Sequence, residues 1–199
     1  MLRSTVSVLL ILLVALSGNG QEVGQTEPGG LKIGEKAPDF NTVDYLGNKI
    51  SLKKLLKRGP VVLMFYRGAW CPYCNKQLMQ LQDSLKLINE LRGTVIAVTP
   101  ETVESIGKTV EKTNAEFRII HDQNLCIMKA YDVAYKLEAS VLKRYKKTGI
   151  DLEAANGSNG ANLPVPATYI INQDGMIVYA FFDPDHTKRA TVQKILENL

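Results

Sequence analysis

Residues 61–74 read Val-Val-Leu-Met-Phe-Tyr-Arg-Gly-Ala-Trp-Cys-Pro-Tyr-Cys. The first six are uniformly apolar, which suits a central strand covered on both faces. Behind the segment, residues 75–91 place Leu78, Leu81, Leu85 and Ile88 at steps of three, four and three, one face of an amphipathic helix. Trp70-Cys71-Pro72-Tyr73-Cys74 therefore joins a buried strand to a helix start. Such a start carries about half a positive charge and several unpaired N–H groups. A thiolate there is stabilised, so its pKa falls and it becomes nucleophilic at neutral pH. Pro72 has the fixed φ that a first helical turn tolerates. Cys71 and Cys74 can share that turn and close a small disulfide with little backbone movement.

Two other uses of the pair remain open, a zinc half-site and an inert disulfide. Zinc needs two further ligands, and Cys126, His121 and His186 are the only cysteine and histidine candidates. None repeats the short pair spacing. Strand, Cys-x-x-Cys and helix occur in the order that a redox motif needs, so dithiol–disulfide chemistry is the expectation, with no metal and no cofactor.

Working outward, Thr94–Val98 is β-branched and buried in character, and Phe117–Ile120 reads as a third strand. Between them Pro100–Thr113 is polar, with Val103, Ile106 and Val110 on one side of a surface helix. Leu125–Tyr131 reads as a short helix. Thr168–Ile171 and Met176–Phe181 flank Asn-Gln-Asp-Gly, a hairpin signal. Thr187–Leu199 closes the chain as a helix, and Phe40–Leu52, with its turn at Leu46-Gly47-Asn48, reads as a preceding hairpin. The pattern predicts an α/β fold: a mixed central sheet, helices on both faces and an N-terminal hairpin extension.

At the other end, Arg3 is the only charge before Glu22, and Val6–Leu16 is apolar apart from Ser7. Ser17, Gly18, Asn19 and Gly20 follow. Residues 1–20 read as a secretory signal peptide, too short in its apolar part for a membrane anchor. Its removal implies export, to a periplasm or beyond, where disulfides persist, with no stable membrane association. Residues 21–30 are polar and Gly-rich, a flexible lead-in, and 31–199 form one domain. The 199 residues are 45% hydrophobic and 22% charged, which excludes a disordered chain. A net charge of +4 is too mild for a nucleic-acid-binding face.

The chain resembles the thioredoxin-like superfamily, and within it the peroxiredoxin branch, the alkyl hydroperoxide reductase / thiol-specific antioxidant family. Gly34-Glu-Lys-Ala-Pro-Asp-Phe40, the stretch Phe65–Cys74, His121-Asp122 with Tyr131-Asp132-Val133, and Tyr169–Gly175 carry the resemblance over about residues 31–199. The bacterial peroxiredoxin-like group is more similar still, with Arg-Gly-x-Trp-Cys-Pro-x-Cys, Pro-Val-Pro-Ala-Thr (here Pro164–Thr168) and a tail like Asp183–Arg189. The resemblance implies an antioxidant peroxidase that reduces hydrogen peroxide or organic hydroperoxides and is regenerated by a thioredoxin-type reductant. A disulfide oxidoreductase and a redox-inert binding domain are the alternatives. The family's peroxidatic cysteine aligns with Cys74, its Thr with Cys71 and its Pro with Arg67. Its second active-site Arg falls at Pro166. Arg67 is then the candidate replacement cation. The thioredoxin analogy instead makes Cys71 the nucleophile. It also makes Pro166 a cis-proline lying against the pair, beside Trp70 as a substrate-positioning residue; a trans proline opening a strand is the alternative.

Other features carry less. Cys126 sits in Leu125-Cys126-Ile127-Met128 and reads as a buried structural thiol. His121 and His186 read as ordinary. Lys143-Arg144-Tyr145-Lys146-Lys147 reads as a solvated helix end. Ala154–Asn162 reads as a Gly/Asn loop, and Asn156-Gly157-Ser158 is a glycosylation acceptor only where the host glycosylates exported chains.

Overall fold

The computed structural model describes residues 27–199; the segment read as a signal peptide and most of the lead-in lie outside them. At the end of the lead-in, the Gly29 and Gly30 N–H groups donate to Asp132. Gly30 runs at φ +63°, and a Cβ there would stand 2.4 Å from the Phe182 ring, so only glycine fits.

The hairpin forms as expected: β1 (Asn41–Val43) pairs antiparallel with β2 (Lys49–Ser51). Asp44 closes the turn by accepting from the Leu46 and Asn48 N–H groups. Next comes α1 (Leu52–Leu56), which the sequence reading did not separate from the hairpin. The apolar run becomes β3 (Val61–Phe65), all of it buried. The helix behind it is two: α2 (Pro72–Asp83) and α3 (Leu85–Glu90). Ser84, at φ −102° and ψ 3°, leaves the helical region between them, yet Leu78, Leu81 and Ile88 all stay buried on one side. Then follow β4 (Thr94–Thr99), α4 (Val103–Thr113), β5 (Arg118–His121) and α5 (Cys126–Ala130).

The region expected as a helix end and loop is richer than that. A short ribbon pairs β6 (Ala134–Lys136) with a strand after two helices, α6 (Ala139–Lys147) and α7 (Leu152–Asn156); that strand is β7 (Asn162–Pro164). The solvated character of α6 is as expected, since it buries no residue. Asn156 is fully buried and donates to the Gly160 and Asn162 carbonyls, so the folded chain does not present it for glycosylation. The chain ends with β8 (Ala167–Ile171), β9 (Ile177–Phe182) and α8 (Val192–Leu196), a shorter last helix than the expected Thr187–Leu199.

The central sheet has the order β5-β4-β3-β8-β9. β3, β4 and β5 are parallel; β8 runs antiparallel to both β3 and β9. The sheet is mixed, as read from the sequence. Strand alternation sorts β3 onto its two faces. Val61, Leu63 and Phe65 pack with Leu52, Tyr131 and Tyr169. Val62 and Met64 pack with Leu78, Leu81, Ile106 and Ile195. Each fully buried Leu, Ile or Val contributes roughly 1.5–3 kcal/mol, so the two cores fix where β3 ends. That end lies on the seam between the parallel and antiparallel halves. Among the described residues no helix is long and apolar enough to cross a membrane.

Candidate active site

Beyond β3, Tyr66 and Arg67 continue the buried chain, and a loop of Gly68, Ala69 and Trp70 delivers Cys71. Cys71 is the residue capping α2, with Pro72 at its first position. Cys74 lies within the first turn, as the sequence reading required. Both cysteines are free and buried, and a hydrogen bond joins the sulfurs at 2.7 Å.

The cation at the sulfurs is not Arg67. The Arg189 Nη2 lies 3.2 Å from Cys74 Sγ and 3.9 Å from Cys71 Sγ. Its Nη1 donates to the carbonyls of His186 and Lys188, which aims the guanidinium from the strap between β9 and α8. The Arg67 guanidinium turns the other way. It donates to the Tyr145 hydroxyl and lies 4.8 Å from the Trp70 ring centroid and 5.8 Å from that of Tyr145. Held between two aromatic faces, its charge is already engaged. What Arg67 gives Cys74 is a backbone N–H.

These contacts separate the two thiols. Burial alone pushes Cys74 up. The hydrogen bond from Cys71 and the Arg189 charge outweigh it, and the Cys74 pKa comes down to about 6. Cys71 moves the opposite way, raised by its hydrogen bond to Cys74 and by burial. The reduced pair is thus a Cys74 thiolate beside a Cys71 thiol.

The loop before the cysteines is held by side chains that the sequence reading missed. Glu101, 1% exposed, accepts the Ala69 N–H with both carboxylate oxygens, at 2.9 and 3.0 Å. The Ala69 carbonyl accepts from Asn75 Nδ2 at 2.9 Å and Lys112 Nζ at 3.0 Å. Gly68, at φ +153°, leaves no room for a side chain: a Cβ would stand 2.5 Å from both Glu101 Oε1 and Trp70 Nε1. Gly68→Ala is expected to lower stability by about 1–3 kcal/mol, read as a fall in the denaturation midpoint at unchanged denaturant slope.

Pro166 is buried at the start of β8, one residue before Ala167, which pairs with Phe65 at the end of β3. It therefore reaches the cysteine end of the sheet. The cis form implied by the thioredoxin analogy is overturned: among the described residues no peptide bond is cis. Val165 N–H donates to the Val133 carbonyl, so the chain runs extended from the β6–β7 ribbon into β8 with no tight turn there. One turn into α2, Gln77 donates to Thr168 of β8 at 3.4 Å.

Cys126 is exposed, not buried. It opens α5, where Ile127 and Met128 take the inward positions and give their N–H groups to Asp122. His121 meets the Glu101 carbonyl and His186 lies edge-on to Tyr73, so neither joins the sulfurs. Among the described residues no three His, Cys, Asp or Glu side chains are placed to hold a metal ion. A groove of about 480 Å³, lined among others by Tyr73, Lys76, Gln77, Thr187 and Arg189, runs between α2 and the strap and reaches the guanidinium over the sulfurs.

Among known proteins, the chain is 32% identical over 115 residues to peroxiredoxin Bcp of Bacillus subtilis, covering 58% of this chain and 72% of that protein. It is 24% identical over 174 residues to the thiol-disulfide oxidoreductase ResA of Bacillus thuringiensis, covering 87% and 83%. The fold superposes on peroxidoxin BcpB from Mycobacterium tuberculosis with a TM-score of 0.65 at 22% identity, covering 84% of this chain and 96% of that one. The AhpC/TSA family model matches residues 33–180, from the segment before the hairpin through most of β9. By that span, the chain belongs to the AhpC/TSA family, the peroxiredoxin branch of the thioredoxin-like superfamily.

Proposed function

We propose that the chain is a thiol-dependent peroxidase that reduces hydroperoxides through a Cys74/Cys71 dithiol–disulfide cycle. The observation that carries this is the Arg189 guanidinium 3.2 Å from the Cys74 sulfur, at a helix start. Cys74 thiolate attacks the O–O bond; the sulfur takes one oxygen as sulfenic acid and the alcohol or water leaves with a proton. The Cys71 thiol then attacks that sulfur, a disulfide forms and water leaves. A thioredoxin-type dithiol reduces the disulfide by exchange. Arg189 supplies at the Cys74 sulfur the cation that polarises the peroxide. Trp70, packed against the core that holds the pair, and Pro166, at the start of β8, position the substrate. Small hydroperoxides approach the Arg189 guanidinium along the groove under the strap. The signal-like residues 1–20 support an exported enzyme, in a periplasm or outside the cell.

A second reading, exchange with protein disulfides, is favoured by the likeness to ResA and by two cysteines on one helical turn. The two are separated by parallel assays: hydrogen peroxide consumption with dithiothreitol or thioredoxin as electron source, and insulin reduction. The peroxidase reading expects peroxide turnover well above that of free thiol. Turnover no faster than free thiol, with insulin reduced, transfers the assignment to disulfide exchange.

A further inference from the structure

Both sulfurs are buried, Cys71 at 1% exposure and Cys74 at 0%. A groove of about 480 Å³ admits a small molecule but not a second protein. Regeneration by a protein dithiol therefore needs a surface beside the pair on which that protein can settle. The chemistry of exchange says beside which sulfur. A disulfide opens faster when the more acidic thiol leaves. Cys74, held by Arg189, is that leaving group, so the attacked sulfur is Cys71. Cys71 directly follows Trp70, whose ring packs on Tyr145 of α6 with the centroids 5.5 Å apart.

α6 forms the outer wall of that flank. Tyr145 turns inward and is half-buried, while Lys143, Arg144, Lys146 and Lys147 are exposed. The helix contains no acidic residue. Of its cations, only Lys146 pairs with a carboxylate, Asp151 at 3.9 Å. The strap on the groove side of the pair is balanced by contrast. Asp183 and Asp185 offset Lys188 and Arg189 there, and Lys188 lies 3.1 Å from Asp183. Of the two approaches to the sulfurs, the Trp70 flank alone presents an unbalanced charge.

We propose that the basic face of α6 is the docking surface for the dithiol reductant, a protein that is acidic around its own cysteine pair. The inference rests on the regenerating step of the cycle above. The docked partner's thiolate attacks Cys71 Sγ, a mixed disulfide forms and Cys74 leaves as thiolate. The partner's second thiol then closes on the first, and its proton passes to Cys71. The partner loses two electrons and the pair gains them. Complementary charge of this kind acts chiefly on the rate of encounter, raising it about 10–1,000-fold, and its effect fades as salt rises.

The test starts from protein oxidised with diamide and follows reduction of the pair by acid quench and thiol labelling. The reductants are a thioredoxin of acidic net charge, one of basic net charge, and dithiothreitol. Lys143→Glu, Arg144→Glu and Lys147→Glu are combined in one chain. A control chain combines Lys53→Glu, Lys54→Glu and Lys57→Glu, the same change in net charge around α1, before the start of β3 and away from the cysteines. With the acidic thioredoxin at low salt, the α6 variant is expected to be reduced about 10–100-fold more slowly than the wild type. With the basic one the order reverses, and with dithiothreitol all three chains react alike. Added salt slows the wild type with the acidic thioredoxin and not the α6 variant. Equal slowing in the α1 control, or an unchanged rate in the α6 variant, overturns the inference. An α6 variant reduced as fast as the wild type, but no longer sedimenting with phosphatidylglycerol vesicles that hold the wild type, gives the face to a lipid surface and also overturns it. A wild-type pair that dithiothreitol reduces and neither thioredoxin does overturns the inference together with the reductant assigned above. Failure of the peroxide assay is a separate result, because diamide closes the pair without peroxide.

Discussion

Cys74→Ser is expected to reduce hydroperoxide turnover to the level of free thiol, and Cys71→Ser to consume one equivalent of peroxide and stop with a sulfenic acid on Cys74. The asymmetry follows from the electrostatics rather than from exposure, since both sulfurs are buried. Only Cys74 has the guanidinium at 3.2 Å, a backbone N–H from Arg67 and a neighbouring thiol that donates to it. Losing it leaves Cys71, a thiol that burial pushes up and whose sulfur stands farther from the guanidinium, at 3.9 Å. Losing Cys71 removes the resolving partner, so oxidation halts after the first step. Peroxide consumption, with dimedone labelling and peptide mass spectrometry after one equivalent of peroxide, reads both. The opposite pattern, with sulfenic acid trapped on Cys71 in Cys74→Ser, would establish the thioredoxin-type order.

The second large effect is at Arg189. A hydrogen bond to a charged group contributes roughly 1.5–3 kcal/mol, which is about one to two pKa units. Arg189→Met keeps the length of the side chain and removes the charge. It is expected to raise the Cys74 pKa by about one to two units, toward that of an ordinary thiol, ~8.5, and to slow alkylation by iodoacetamide at neutral pH about 2–10-fold. In the wild type the alkylation rate climbs as pH rises through about 6 and is flat above. In the variant the climb moves to higher pH, and at high pH the two rates converge. Equal profiles would show that the Cys71 hydrogen bond, the Arg67 N–H and the helix start ionise Cys74 without the guanidinium. The same substitution at Arg67 leaves the profile nearly in place, because that guanidinium faces Trp70 and Tyr145.

How far the sequence could be read depends on the range of the interactions involved. The strand, the cysteine turn, the helix face and the hairpins were legible because each is specified by neighbours within a few residues. Val61–Tyr66 is apolar throughout, and a run of that kind has few places to go except the middle of a sheet. The ribbon of β6 and β7 was not legible: three-residue strands far apart in the chain leave no periodicity. The long-range site residues were hidden for the same reason. Arg189 lies in the Asp183–Arg189 tail that matched the family group, but nothing local says that its guanidinium crosses to α2. Arg67, adjacent to the motif, was the nearer candidate and packs elsewhere. Glu101 did leave a signal, an acidic side chain two residues beyond a buried strand with no opposite charge within six residues in sequence. Cys126 shows the limit of composition, since four consecutive apolar residues cannot all face inward from one helical turn.

The helix α6 is attached in an unusual way. It buries nothing of its own, and a single phenol, Tyr145, reaches the Arg67 and Trp70 side of the site. The two hydrophobic cores are complete without it. Segments of that kind can be exchanged, lengthened or cut back during evolution or in engineering with little loss of folding. The chemistry on α2 and the shape of the Trp70 flank are thus separately adjustable, the second by remodelling one peripheral helix.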